Sequence, residues 1–273
     1  MPPLSELLEL CVLLALAGGV AGFLAGLFGI GGGAVLVPVF YQAFALFGVD
    51  DGLRIKLSVG TSLAIIIPTS LRSFQSHYKR GAVDMSVLRR WVIAVPFGAV
   101  VSTLVIAYAP GSLLRGAFAV ITLLIGLKML YPKSAEWRLG DDLPKNPALF
   151  AYGWLIGLLS GLIGIGGGTL NNTFMTLFNR PIHQAVATSA GVGVLISIPS
   201  FIGNIVGGWG KAGLPPLSTG YINWVAVALI IPITMLIAPL GATVAHRLSK
   251  RKLEAGFGIF LLIISARFFY SFF

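Results

Sequence analysis

Two stretches of this chain, Val92–Ala109 and Tyr221–Ala245, run for 18 residues or more without one charged side chain. A stretch of that length and character is long enough to cross the roughly 30 Å of hydrocarbon in a bilayer. The rest of the chain has the same tone: 56% of its 273 residues are hydrophobic, 10% are charged, and the mean hydropathy is +0.92. These values exclude a soluble domain and predict an all-α polytopic membrane protein, because only helices or closed barrels satisfy their backbone in lipid. A net charge of +10 reads here as basic residues gathered in cytoplasmic loops, not as a nucleic-acid surface. The start, "MPPLSELLELCVLLALAGG", carries Glu6 and Glu9 and no basic run. It is expected to be a first membrane segment, not a cleaved signal. One cysteine, Cys11, leaves no internal disulfide.

The chain repeats itself. "GLFGIGGG" at Gly26–Gly33 returns as "GLIGIGGG" at Gly161–Gly168, and "SVGTSLAIIIPTS" at Ser58 resembles "SAGVGVLISIPSF" at Ser189. "PFGA" at Pro96 parallels "PLGA" at Pro239, and the last segment of each half ends in one basic residue, Lys128 and Arg267. The expected organisation is one integral membrane domain made of repeat 1 (1–131), a cytoplasmic linker (132–146) and repeat 2 (147–273). Apolar segments are expected near 6–28, 34–48, 55–76, 88–109 and 112–131, then 147–163, 169–179, 184–208, 221–246 and 252–272. That gives eight to ten membrane segments, depending on whether the glycine-broken ones cross fully or are re-entrant.

If the loop holding Lys79, Arg80, Arg89 and Arg90 is cytoplasmic, most other Lys and Arg residues fall on that side. The cytoplasmic bias places both termini on the opposite, non-cytoplasmic face. The counterpart loop in repeat 2, around Lys211, then falls outside, so the repeats are inverted in topology, as in many secondary transporters.

Glycine runs in a membrane helix need a reason. Segment 169–179 would rise only about 16 Å as a helix, half a hydrocarbon core. Irregular backbone at membrane depth survives only where protein buries it or where it lines a cavity. Both GIGGG runs are therefore expected to break a helix, and the pieces that follow begin with unpaired N–H groups and a partial positive charge. Two such ends converging near the midplane make an anion site. The competing explanation is close helix packing through small residues.

The expected substrate-binding groups are the backbone amides of Gly31, Gly32 and Gly33 and of Gly166, Gly167 and Gly168. Neutral donors Thr61, Ser62, Thr188, Ser189, Asn171, Asn172 and Asn204 add to them. His77 and Arg72 are candidates for coupling, although Arg72 also suits snorkelling to the cytoplasmic face. The Ser and Thr hydroxyls have an alternative in bonding back to helix carbonyls. Trp91, Trp137, Trp154, Trp209 and Trp224 lie near segment ends and are expected to be interfacial anchors. All nine carboxylates fall at segment ends or in loops, which argues against a cation carrier. No catalytic residue, metal site or cofactor is expected.

"GLFGIGGGAVLVP", "GLIGIGGGTL", "SVGTSLAIIIPTSLRSFQSHYKRGAVD" and "HQAVATSAGVGVLISIPSFIGNIVGGW" together resemble the TauE/SafE family of sulfite and organosulfonate exporters, as does "GLPPLSTGYINW". The resemblance spans nearly the whole chain. It implies a bacterial inner-membrane carrier of small sulfur-containing anions such as sulfite or an organosulfonate, with the lipid bilayer and the anion as its partners. Asn171–Asn172–Thr173 stand where the first repeat has Leu36–Val37–Pro38, so the expected pocket is asymmetric. The resulting expectation is a secondary transporter in which one half moves against the other to alternate access. An anion channel on the same scaffold is the alternative. An intramembrane enzyme is disfavoured, since no nucleophile stands beside a base within the membrane region.

Overall fold

A computed structural model of the chain describes residues 12, 15–16, 18–24, 33–131, 137–246 and 250–271. Ten helices and one two-stranded hairpin are delimited within them. They are α1 (Gly33–Leu46), α2 (Asp51–Lys79), α3 (Met85–Trp91), α4 (Ala94–Tyr108), α5 (Gly111–Leu130), α6 (Ala148–Leu162), α7 (Gly168–Leu177), α8 (Ile182–Gly207), β1 (Ser218–Thr219), β2 (Ile222–Asn223), α9 (Trp224–His246) and α10 (Lys250–Tyr270). Residues 18–24 are also helical. The protein is an all-α polytopic membrane protein. Among the described residues, α2, α5, α8 and α10 are long and apolar enough to cross a bilayer, and the bent pair α3–α4, 49° at its break, makes a fifth. The shorter apolar helices include α1 and α6.

Local chemistry sets the ends. α2 starts where the Asp50 carboxylate accepts from Gly52 N at 2.8 Å, and it runs for 29 residues, about 43 Å. α3 starts at Asp84, whose carboxylate accepts from the Ser86 and Val87 amides. α7, by contrast, has only 10 residues and no side-chain cap; its first residue follows Gly167, a left-handed residue.

Four pairings hold the bundle. The central one is α2 against α8, antiparallel, with Gly60 beside Asn204 at one end and Ser70 beside Gly193 at the other. α5 lies on α10, where Gly126 and Gly258 face each other and a Cβ on either would stand 3.0–3.1 Å from the other's carbonyl oxygen. α4 lies on α6 so closely that a Cβ on Gly98 would overlap the Trp154 carbonyl, and one on Gly157 the Val95 carbonyl. Residues 18–24 lie on α9, with Gly22 against Thr234 Cα. Small residues at every one of these crossings fit a bilayer, where helices gain nothing from hiding apolar surface from lipid and associate through tight packing.

One expectation is corrected here. Trp91 is no interfacial anchor: it is fully buried, its Nε1 donates to Leu149 O at 2.8 Å, and its ring lies 5.2 Å from that of Phe174. The α3–α4 bend turns this end of α3 under the start of α6, where Gly153 leaves room for the indole. Trp137, Trp209 and Trp224 are exposed, as an anchor requires.

Candidate functional site

The second glycine run is a true interruption. α6 ends at Leu162, α7 begins at Gly168, and the chain between them is non-helical, with Gly164 at φ 66° and Gly167 at φ 75°. Only glycine takes that region without a steric cost. The Ile165 amide donates to Ser160 O, the Gly167 amide to Ile165 O and the Asn171 amide to Gly167 O. The amides of Gly166, Gly168, Thr169 and Leu170 have no acceptor among the described residues. Gly167, named as an anion donor from the sequence, therefore already spends its N–H on the turn, while its neighbours do not.

The first run lies almost wholly outside the described residues: Gly31 and Gly32 do, and Gly33 is the first residue of α1. A Cβ on Gly33 would stand 2.7 Å from Gly164 O and 2.8 Å from both Ile165 Cα and Ile66 Cδ1. The end of one run thus rests directly on the other. Gly164 meets Val37 and Val59, Gly166 meets Ile66, and Gly167 meets Ile196 and Val192, each at 2.7–3.2 Å from an imagined Cβ. Break and close packing, posed as rivals by the sequence, both operate here.

Around the break sit the polar residues of the central pair. Ser62 Oγ donates to Gly164 O at 3.0 Å, tying α2 to the turn. Ser189 of α8 is the hub of a buried network. It accepts from Asn171 Nδ2 at 2.7 Å, and its Oγ stands 2.6 Å from Asn172 Oδ1 and 2.8 Å from Ala185 O. Asn171 is fully buried, and neither its Oδ1 nor the nearby Thr169 Oγ1 has a partner among the described residues. Lys128 Nζ of α5 reaches Thr173 Oγ1 at 3.3 Å, bringing a cation to the same short helix.

Thr61 and Thr188 each tie the two halves of the chain together. Thr61 Oγ1 accepts from the amide of Asn223, and Thr188 Oγ1 from the amide of Asp84, at 3.1 and 2.9 Å. Asp84 and Asn223 each cap the helix that follows, Asn223 by accepting from Ala226 N. Each threonine of the central pair therefore clasps a cap belonging to the other half of the chain. Asn204 lies away from the break, beside Gly60, with Nδ2 bonded to Ser200 O and Oδ1 unpartnered. Arg72 is exposed and His77 half-buried on the last turns of α2, and neither bonds to the cluster. His183 is exposed, and the side chain of His246 falls outside the described residues.

Sequence reasoning missed Ser160, Ser197 and Ser200. Their hydroxyls are buried and unpartnered among the described residues, whereas Ser58, Thr122, Thr176 and Thr234 all bond back to a helix carbonyl. Ser189, Gly193, Ser197, Ser200 and Asn204 recur every three or four residues along α8. That spacing is a one-faced polar stripe on an apolar helix, and it was the available signal.

The family model for the sulfite exporter TauE/SafE matches residues 14–268. The chain belongs to this family. A probable membrane transporter protein of Haemophilus influenzae is 32% identical over 258 residues, covering 94% of this chain and 97% of that protein. One of Methanocaldococcus jannaschii is 29% identical, covering 91% of each chain, and the probable membrane transporter YunE of Bacillus subtilis is 25% identical, covering 95% and 97%. No solved structure matches. This TauE/SafE member is thus a multi-pass membrane transporter by family, and a small molecule is its cargo.

Proposed function

We propose that the chain is a secondary transporter of small anions, sulfite or related sulfur oxyanions and organosulfonates, working by alternating access in a bacterial inner membrane. One observation carries this reading: the four amides at Gly166, Gly168, Thr169 and Leu170 that have no acceptor among the described residues, at the start of a helix broken inside an apolar bundle. Such an end presents N–H donors and a partial positive charge where lipid and protein exclude water. The unpartnered Thr169 hydroxyl adds a neutral donor, Asn171 holds Ser189 and Met175 through its Nδ2 beside the break, and Lys128 adds a cation at one remove. The carboxylates among the described residues stand at helix starts or in loops: Asp50 and Asp84 cap helices, Asp51 pairs with Arg54 and Arg115, and Asp142 pairs with Arg180. A cation carrier would want one of them deep in the bundle.

The inverted-repeat organisation belongs to the same proposal. It is supported by the way equivalent segments pair, α2 with α8 and α5 with α10, and by the matching clasps at Thr61 and Thr188. In this frame the Lys79–Arg90 loop faces the cytoplasm and both termini lie on the other side.

The test is uptake of radiolabelled sulfite, thiosulfate, sulfate and methanesulfonate into proteoliposomes. The wild-type protein should take up at least one of them saturably. Thr169→Val should cut that uptake about tenfold or more, the worth of one hydrogen bond to a charged ligand, with little change in melting temperature, whereas Asn171→Ala should cut it and also lower the melting temperature, because it removes the buried bond to Ser189. Unchanged uptake in both variants would refute the site. Single-channel currents without accelerated counterflow would point to a channel.

A further inference from the structure

We infer that Lys56 and Tyr221 form a second anion site, at the end of the bundle opposite the Lys79–Arg90 loop, where a substrate is held before it reaches the break. The inference rests on the anion reading above but not on the residues named there.

Lys56 lies on the second turn of α2 and is only 8% exposed. Its ammonium has three N–H donors, of which one is used, on Ala107 O of α4 at 3.2 Å. No carboxylate pairs with it among the described residues, although Arg54, Arg115 and Arg180 all have acidic partners. A buried cation without a counter-charge is costly, and proteins nearly always pair it. The Tyr221 ring faces the ammonium at 5.6 Å, and the Tyr221 hydroxyl, on a residue 1% exposed, is itself unpartnered among the described residues. The ammonium over the ring face and the unpartnered hydroxyl of the same ring thus bring one charged and one neutral group with unspent donors to one end of the apolar bundle. A small oxyanion is the ligand that would use both.

Further polar groups extend from the site toward the break, and a cleft adjoins it. A cleft of about 520 Å³ lies next to the site between α4 and α8; Val100, Leu104, Ile202 and Val206 give it a mostly apolar, outward-facing wall, and neither Lys56 nor Tyr221 lines it. Ala107, whose carbonyl holds Lys56, forms part of its wall, and a Cβ on Gly207 would come 3.9 Å from the Tyr221 ring. Lys211 adds an exposed cation to the rim. Onward, Ser62 on α2 is six residues from Lys56, about 9 Å along the helix axis, and it bonds the turn at Gly164. On α8 the unpartnered groups Asn204 Oδ1, Ser200 Oγ and Ser197 Oγ lead from the Tyr221 end toward the level of the break. Hydroxyls that decline the usual bond to their own helix remain available to a passing polar ligand or its water.

A purely structural role is the competing account, since Lys56 also covers a carbonyl at the C-terminal end of α4, which favours a cation. The measurement must separate affinity from folding. The anion taken up by the wild-type protein is carried into dose–response uptake by Lys56→Met, Lys56→Arg and Tyr221→Phe proteoliposomes, with melting temperatures recorded beside them. Lys56→Met should raise the half-saturating concentration about tenfold or more while the maximal rate stays within about twofold. Lys56→Arg should restore most of the affinity. Tyr221→Phe, which keeps the ring and removes only the hydroxyl, should raise the half-saturating concentration without lowering the melting temperature. If Lys56→Met does not fold, Tyr221→Phe decides alone. Wild-type half-saturation in Lys56→Met and Tyr221→Phe, with transport intact, overturns this site and leaves the transporter reading standing. Absence of uptake of every anion in the wild-type protein overturns both.

Discussion

Replacing Gly164 by valine should abolish transport and destabilise the protein by about 2–5 kcal/mol. Two costs add. The position has φ 66°, where an L-residue with a Cβ loses about 1–2 kcal/mol. The new side chain would also start 2.7 Å from Val37 Cγ2 and 3.2 Å from Val59 Cα, and overpacking of a filled site costs about 1–3 kcal/mol. Val59 presents backbone, so the turn rather than its neighbour must give way. Moving the turn would break the Ser62–Gly164 bond and shift the four amides ahead of α7. Gly81 supplies the control: its φ is 65°, yet nothing lies within 4 Å of its imagined Cβ. Gly81→Val should lose only the conformational part and keep uptake. Chemical denaturation of both variants in detergent reads the difference, and equal losses would mean that packing at the break matters little.

Gly157→Leu should prevent recovery of folded protein. At this crossing a Cβ would overlap the Val95 carbonyl oxygen, and the reciprocal contact at Gly98 lies against the Trp154 carbonyl. Backbone cannot rotate aside as a side chain can. α4 and α6 would have to separate along their length, forfeiting the packing that holds them in lipid. The loss is expected to be about 3 kcal/mol or more. Leu155 is on the same helix and 42% exposed, and Leu155→Ala should leave a monodisperse peak in size-exclusion chromatography. A similar peak for Gly157→Leu would show that this crossing is not tight.

Much of the fold was legible before the structure. The segments expected at 34–48, 112–131 and 184–208 appear as Gly33–Leu46, Gly111–Leu130 and Ile182–Gly207, because uncharged length and glycine or proline punctuation are local properties. The break at 164–168 was legible for the same reason: too few residues remain after it to cross a bilayer. What faces what was not. Nothing in the sequence showed that Thr61 and Thr188 would each accept from an amide more than 100 residues away. Lys56 stands at the very start of the segment expected at 55–76, and only the position of α4 and the hairpin reveals that it is buried. Trp91 near a segment end could not show that a bend would fold that end inward. Periodicity tells which residues share a helix face, and tertiary contact alone tells what meets that face.

The crossing of α4 with α6, and of residues 18–24 with α9, also bears on how such a protein can change shape. Each crossing fastens the first apolar segment of one half of the chain to the fourth segment of the other half. The polypeptide is interlaced, so the sequence midpoint is not a mechanical midpoint. A rocking motion that took residues 1–131 one way and 147–273 the other would tear both crossings apart. Whatever swings here must be a mixed body, with α4 and α6 travelling as one strut and residues 18–24 and α9 as another.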